Sequence, residues 1–392
     1  MVIAHAVRRI FLTDGGPPRA TIDLLDAMRR RGHETRLLCS MPRDVPASWL
    51  AGMGPQITTF PTRGGAWGLA MPAAKRRIRA AIEGADIVHL QVPWDPLNYQ
   101  IARIARSVGV PYCVSLRGTL DTWALAKKPV KKRMYLGLFA RRMLEQAAFV
   151  HCTAESEAQQ SLPCFPRGTV RVIPNLLDLT RMIGGNSPQL PELPGLGERD
   201  RVVLFLSRVF PGKGVELLID SFSAVLARHP DAVLVIAGSG SIDYIEQLRR
   251  QVRQNGHEGR VIFAGFVAGD AKIALYKRAS TFVLVSEHEN FGNVLFEASA
   301  CGTPLVISRE VATWRELQAG AAARVVDREP AAIASAIDEH LRMGSHEANA
   351  FRERSQSWTA NFLDRDRITE MYEAAYAEAG SRRAPGSGKW RT

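Results

Sequence analysis

The sequence predicts an α/β protein built as two doubly wound parallel sheets in tandem. Three observations predict it. The chain has 392 residues, enough for two domains that each bury a core. Short apolar runs alternate with helical patterns along the chain, the mark of parallel α/β layers. One stretch, 186–200, is punctuated by glycine and proline and interrupts that alternation as a linker does.

The first domain, 1–185, carries strands near Ile3 and over 35–39, 86–90, 112–115 and 149–153. Helices fall between them, and the one over 21–31 stops at Gly32, a residue suited to ending a helix. After the linker, the domain 201–355 repeats the scheme with strands over 202–207, 232–237, 260–264, 281–285 and 305–307. Helical sequence over 356–380 follows. The tail, 381–392, is rich in Gly, Ser, Arg and Lys and is expected to be disordered. Doubly wound sheets bind ligands at the carboxyl ends of their strands, here toward an interdomain cleft, so the loops after strands are where chemistry is expected.

Composition narrows the function classes. Apolar residues make up 46% of the chain and charged residues 23%, which fits a globular protein rather than a disordered one. No apolar run approaches the ~20 residues of a membrane-spanning helix. Arg8 and Arg9 interrupt the opening apolar segment, which argues against a signal peptide and for a cytoplasmic protein. Cys39, Cys113, Cys152, Cys164 and Cys301 are scattered without a CxxC pair and read as reduced core thiols, not as zinc ligands or a disulfide framework. The formal net charge of +12 asks for an anionic partner. Its densest part is Lys127, Lys128, Lys131, Lys132 and Arg133, followed by Arg141 and Arg142, with Met134, Tyr135, Leu136, Leu138 and Phe139 between. Residues 127–142 thus read as a basic amphipathic helix. It is either a solvated helix packing its stripe inward or a patch for an anionic membrane surface. No nucleic-acid-binding motif accompanies the charge, so nucleic acid ranks last among partners.

The richest segment is SEHENFGNVLFEASACGTPLVIS, 286–308. It follows a strand and sets Glu289 and Glu297 eight positions apart across Gly292. A helix starting near Asn293 leaves Glu289 in the loop and puts Glu297 in the second turn. The amides of Gly292, Asn293 and Val294 then form an anion-binding helix N-terminus that fits a diphosphate. Eight residues of helix span about 12 Å, too far for a hydrolase carboxylate pair, so groups that orient sugar hydroxyls fit better; on spacing alone Glu297 is as well an ordinary exposed helix residue. In VVLFLSRVFPGKG, 202–214, Arg208 and Lys213 flank a Pro-Gly turn at a strand's carboxyl end, where two cations can grip a diphosphate, although a basic loop alone is often only a loop. The AGSGS loop with Gly238 and the opening TDGGPP with Gly15 and Gly16 allow close backbone approach, or serve only as turns. Neither completes a GxGxxG fingerprint.

Taken together, these segments resemble the retaining glycosyltransferases of family 4, with the GT-B fold of two Rossmann-like domains. The order matches over nearly the whole chain: the glycine pair, IPNLLD at 173–178, SRVFPGKG, IAGSG, FAGFV at 263–267 and the E-x7-E segment. The resemblance implies that Arg208 and Lys213 hold the donor diphosphate, Glu297 the ribose hydroxyls and Glu289 the transferred sugar. Amides from Gly292 to Leu295 complete the cradle, and Phe266 and Val267 line the base pocket. It also implies a nucleoside-diphosphate-sugar donor, no cofactor and no metal, in keeping with the lack of a DxD motif.

The segment SLRGTLDTWALAKKPVKKRMYLGLFARRMLEQAAFVHCTAESE is similar to the acceptor domain of members that build bacterial surface polysaccharides or glycolipids. Many relatives have a histidine where this chain has Arg117, which could instead bind a phosphorylated acceptor or part of the donor. The role is not carried over to His89 or His151, which read as core histidines. The expected acceptor is lipid-linked or saccharide, met at the inner membrane face with 127–142 on anionic lipid. The helices over 356–380 resemble the pair that returns to the first domain, with Trp358 as a packing anchor there. Two alternatives stay open: a sugar-nucleotide epimerase of the same architecture, and a degenerate scaffold that binds nucleotide without turnover.

Overall fold

The computed structural model describes residues 1–11, 16–63, 69–184, 188–190 and 192–381. The chain divides into two units, one of Met1–Leu177 with Arg365–Thr392 and one of Asp178–Asp364. Most of the tail expected to be disordered lies outside the described residues, as do parts of the linker and Gly15.

The first unit is built on a seven-stranded sheet. Its strands are β1 (Val2–Arg9), β2 (Glu34–Met41), β3 (Gln56–Thr59), β6 (Ile87–Gln91), β7 (Tyr112–Ser115), β8 (Phe149–Cys152) and β9 (Val170–Val172); β4 (Thr62–Arg63) and β5 (Leu69–Ala70) form a small antiparallel pair. The order is β3-β2-β1-β6-β7-β8-β9, every pairing parallel. β6, β7 and β8 are buried along their whole length, which is why they read as continuous apolar runs.

The second unit holds β10 (Arg201–Leu206), β11 (Ala232–Ala237), β12 (Val261–Gly265), β13 (Thr281–Leu284), β14 (Leu305–Ser308) and β15 (Ala323–Val326), in the order β12-β11-β10-β13-β14-β15. All are parallel, so their carboxyl ends share one edge. Every expected strand is present. Those not expected are β3, β9 and β15, each at a sheet edge, and the short pair β4 and β5.

Three local expectations meet a different outcome. The helical pair divides, because helix Ser345–Phe362 stays with the second unit and only helix Arg365–Ser381 joins the first. Trp358 therefore does not anchor the first domain. It stacks on Phe362 at 5.1 Å, Phe362 on Phe296 at 5.6 Å, and Phe296 on Phe291 at 4.6 Å. That aromatic pile backs the helix that bears Glu297. The basic amphipathic helix also starts later than expected, at Pro129, leaving Lys127 and Lys128 before it, and runs unbroken to Glu145 through a wider turn over Leu136–Ala140. Within it Lys132 faces inward, donating to the Ala124 carbonyl and sitting 5.5 Å from the Trp94 ring centre. The five cysteines are all buried and unpaired. Among the described residues no helix is long and apolar enough to cross a membrane.

Candidate functional site

The expected loops of the second unit leave adjacent strands. With β12, β11, β10 and β13 side by side, the loops bearing Phe266 and Val267, then Gly238, then Arg208 and Lys213, then Glu289 stand in that order along one edge. Backbone bonds tie them to their neighbours. Val209 N–H donates to Ser239 O at 2.9 Å, Glu287 N–H to Gly212 O at 2.7 Å and Ala312 N–H to Glu289 O at 2.8 Å.

Gly238 shows why the edge needs glycine. Its N–H donates to Gly265 O at 2.6 Å, its φ is +140°, and a Cβ there would run into the Ser207 carbonyl oxygen. Backbone-to-backbone closeness of this kind cannot relax by turning a side chain. Gly238→Ala is expected to cost about 3 kcal/mol, read as a lower urea midpoint of the second unit with the same slope.

Two carboxylates stand at this edge, each held by its own lysine. Lys213 Nζ lies 2.6 Å from Glu289 Oε2, the side chains only 13% and 20% exposed. Glu297, in the second turn of helix Asn293–Ala300, accepts from Lys272 Nζ at 2.8 Å and from Tyr276 Oη at 2.9 Å. Burial, with the Glu297 carboxylate alongside, pushes the Tyr276 phenol well above its usual range, so it remains a donor. Gly292 caps this helix in the left-handed region at φ +73°, where a Cβ would crowd Leu295 and stand 3.3 Å from Glu289 Cγ. Leu295 N–H already donates to Gly292 O at 2.8 Å, which takes it out of the set of amides open to a ligand.

Arg208 is exposed, with no ion pair among the described residues. Phe266 is 77% exposed. Lys272 and Tyr276 were not expected. They sit four apart on helix Gly269–Arg278, a spacing that puts them on one face, but nothing in the sequence says which helix that face meets. Among the described residues no cluster of three or more His, Cys, Asp or Glu side chains is placed to hold a metal ion.

In the first unit, Gly16 opens helix Gly16–Arg30 just beyond β1. Arg117 follows β7 in the left-handed region, at φ +57°. Its guanidinium donates to two neutral acceptors, Gln91 Oε1 at 3.1 Å and Asn175 Oδ1. Gln91 Nε2 is buried beside it without a hydrogen-bond partner among the described residues. His89 and His151 lie in the core beneath, both fully buried, and Ser115 Oγ bridges them at 2.6 Å to each. Burial first, and neighbouring positive charge second, holds His151 down at about 3 and His89 well below its ordinary value. Both are neutral structural groups.

The family described as glycosyl transferases group 1 matches residues 187–358, and the glycosyl transferase 4-like domain matches residues 15–176. An uncharacterized glycosyltransferase of Methanocaldococcus jannaschii is 44% identical over 29% of this chain and 28% of its own length, so that match spans under a third of the relative. A phosphatidyl-myo-inositol mannosyltransferase of Mycobacterium leprae is 29% identical over 85% of each chain. Among solved structures, HepE of Anabaena in complex with UDP and glucose superposes with a TM-score of 0.76 at 18% identity, over 96% of this chain and 99% of that one.

Proposed function

Because this chain belongs to the group 1 glycosyltransferases of family 4 and has their GT-B fold, we propose that it moves a hexose from a nucleoside-diphosphate sugar to a lipid-linked or saccharide acceptor, with retention of anomeric configuration. Surface polysaccharide or glycolipid assembly is the setting such an acceptor implies. The observation that carries the reading is the pair of lysine-held carboxylates, Lys213 with Glu289 and Lys272 with Glu297, flanking the Gly292 helix start.

Each group then has a task. Arg208 and Lys213 bind the diphosphate and neutralise the charge that grows on it as the sugar departs, while the amides at Gly292, Asn293 and Val294 add the dipole of the helix start. Glu297, fixed by Lys272 and Tyr276, accepts from the ribose hydroxyls, and Glu289 accepts from the sugar. Phe266, Val267 and the Gly238 loop border the base. Same-face attack, helped by the departing phosphate, needs no protein nucleophile. Arg117 offers a cation to an acceptor phosphate, with Gln91 Nε2 as a second donor. The basic segment 127–142 places the enzyme on anionic lipid, and the acceptor of the mycobacterial relative, a phosphatidylinositol by its name, supports a membrane acceptor here.

The test is a thermal-shift and calorimetry panel of UDP, GDP and ADP with their sugar conjugates. One nucleotide is expected to raise the melting temperature, a ligand at 100 times its Kd adding about 2.7 kcal/mol. Glu297→Ala should weaken that nucleotide at least about tenfold, the loss of a charged hydrogen-bond acceptor. No response to any nucleotide would overturn the donor site, nucleotide binding without turnover would favour the scaffold reading, and an isomerised sugar formed without acceptor would favour the epimerase.

A further inference from the structure

The first unit contains a cavity of about 370 Å³, lined by Tyr99, Arg103, Arg106, Tyr112, Arg142 and Gln146 among others. Helix Pro96–Ser107 runs back from the end of β6 to the start of β7. Arg103, Arg106 and Tyr112 therefore lie at the amino-terminal edge of the sheet, opposite the edge that bears Arg117. Three arginines line the cavity and, among the described residues, no acidic residue does. Arg106 donates to the neutral Gln146 Oε1 at 2.6 Å, and neither Arg103 nor Arg142 has a carboxylate partner among the described residues.

An exposed apolar strip leads into this cavity. Val130, Met134 and Leu138, at steps of four residues, are 70%, 61% and 65% exposed, and the next step of four is Arg142 at the cavity wall. Phe139, beside the strip, packs on Tyr99 with ring centres 5.3 Å apart, so strip and cavity form one continuous surface. Large apolar side chains grouped on the surface call for a cover. The strip is flanked by the exposed cations Lys128, Lys131 and Arg133, so the cover must be both apolar and anionic, as a membrane of acidic lipid is.

We propose that the cavity of Arg103, Arg106 and Arg142 is a binding site for the phosphate of an anionic lipid headgroup, filled while Val130, Met134 and Leu138 enter the bilayer interface. The proposal rests on the membrane-facing reading of 127–142. Guanidinium forks suit a phosphate because they present paired, fixed donors to its oxygens. The cavity thereby turns general attraction to negative membranes into recognition of a headgroup, at a place apart from the edge proposed for transfer.

Co-sedimentation of the full chain with phosphatidylglycerol vesicles tests this, comparing Arg103→Gln/Arg142→Gln with Lys128→Gln/Arg133→Gln, a pair that removes the same charge outside the cavity. Each lost surface charge costs about fivefold in partitioning, so the control pair should bind about 25-fold less tightly. The cavity pair should lose about tenfold more than that. It should also become insensitive to millimolar glycerol phosphate, which is expected to compete with wild type. Equal losses in the two pairs would overturn the headgroup site while leaving the membrane reading standing. Failure of wild type to bind these vesicles at all would overturn both. Glycerol phosphate that binds the cavity while vesicle binding ignores Arg103 and Arg142 would mean a soluble phosphate ligand and would overturn the lipid assignment.

Discussion

Lys213→Ala is expected to lower kcat/KM about 10³-fold while leaving the fold intact. One electrostatic donor aimed at developing charge contributes about 10²–10³ in rate. A further loss arises here because Lys213 Nζ is 2.6 Å from Glu289 Oε2: without the ammonium, a mostly buried carboxylate faces an incoming diphosphate with nothing to offset it. The double variant Lys213→Ala/Glu289→Gln should therefore be impaired by much less than the product of the two single effects, the coupling expected of groups in contact. Steady-state kinetics with the matching sugar nucleotide, with circular dichroism to verify folding, checks both statements. A Lys213→Ala enzyme within tenfold of wild type would remove that residue from the diphosphate site.

Mild acid should open the first unit. His5 on β1, His89 on β6 and His151 on β8 are fully buried and joined to helix Arg365–Ser381 through Tyr376, which meets His89 Nδ1 at 2.7 Å, and Tyr372, which meets His151 Nε2 at 3.1 Å. Burial, with the charge of Arg117 added to it, lowers His5 and His151 from 6.5 to about 3. The folded state thus refuses protons that the unfolded chain accepts. Stability is fully present above pH 6.5, falls as the pH drops below it and is lost progressively down to about 3, by about 2 kcal/mol per histidine at pH 5. Glu157, whose carboxyl burial raises, works in the opposite direction. The second unit holds one strongly depressed buried histidine, His340 at about 4, so the first unit should yield earlier. Hydrogen exchange of residues 365–381 should accelerate at least tenfold, beyond the intrinsic pH effect, between pH 7.5 and 5. Unchanged protection would mean that the histidine network does not hold that helix.

How far each element could be read from the sequence follows from burial. Central strands such as β8 and β11 are buried throughout and announce themselves as apolar runs. The edge strands β3 and β9 have no fully buried residue and β15 has one, so they carry no run to detect. Glu289, Glu297, Arg208 and Lys213 stand out in the sequence by residue type and spacing after predicted strands, and the structure sets the elements that bear them along one sheet edge. Lys272 and Tyr276 do not, since their meaning depends on which helix face packs beside Glu297. Trp358 was readable as an anchor but not its berth, because an indole packs equally well on any aromatic pile. The histidines escaped notice as a group because 84 and 62 residues separate them along the chain (89 − 5 and 151 − 89), and only strand order makes them neighbours.

Helix Arg365–Ser381 belongs to the first unit but follows the second in the sequence, which sets the order of events on the ribosome. The contiguous segment 178–364 can finish folding as soon as it emerges, whereas the sheet translated first must wait, with His89 and His151 lacking their tyrosine partners, until helix Arg365–Ser381 is made. Synthesis runs from amino to carboxyl end, yet the amino-terminal half closes last. During that interval a chaperone would find its binding surface where the two tyrosines later dock.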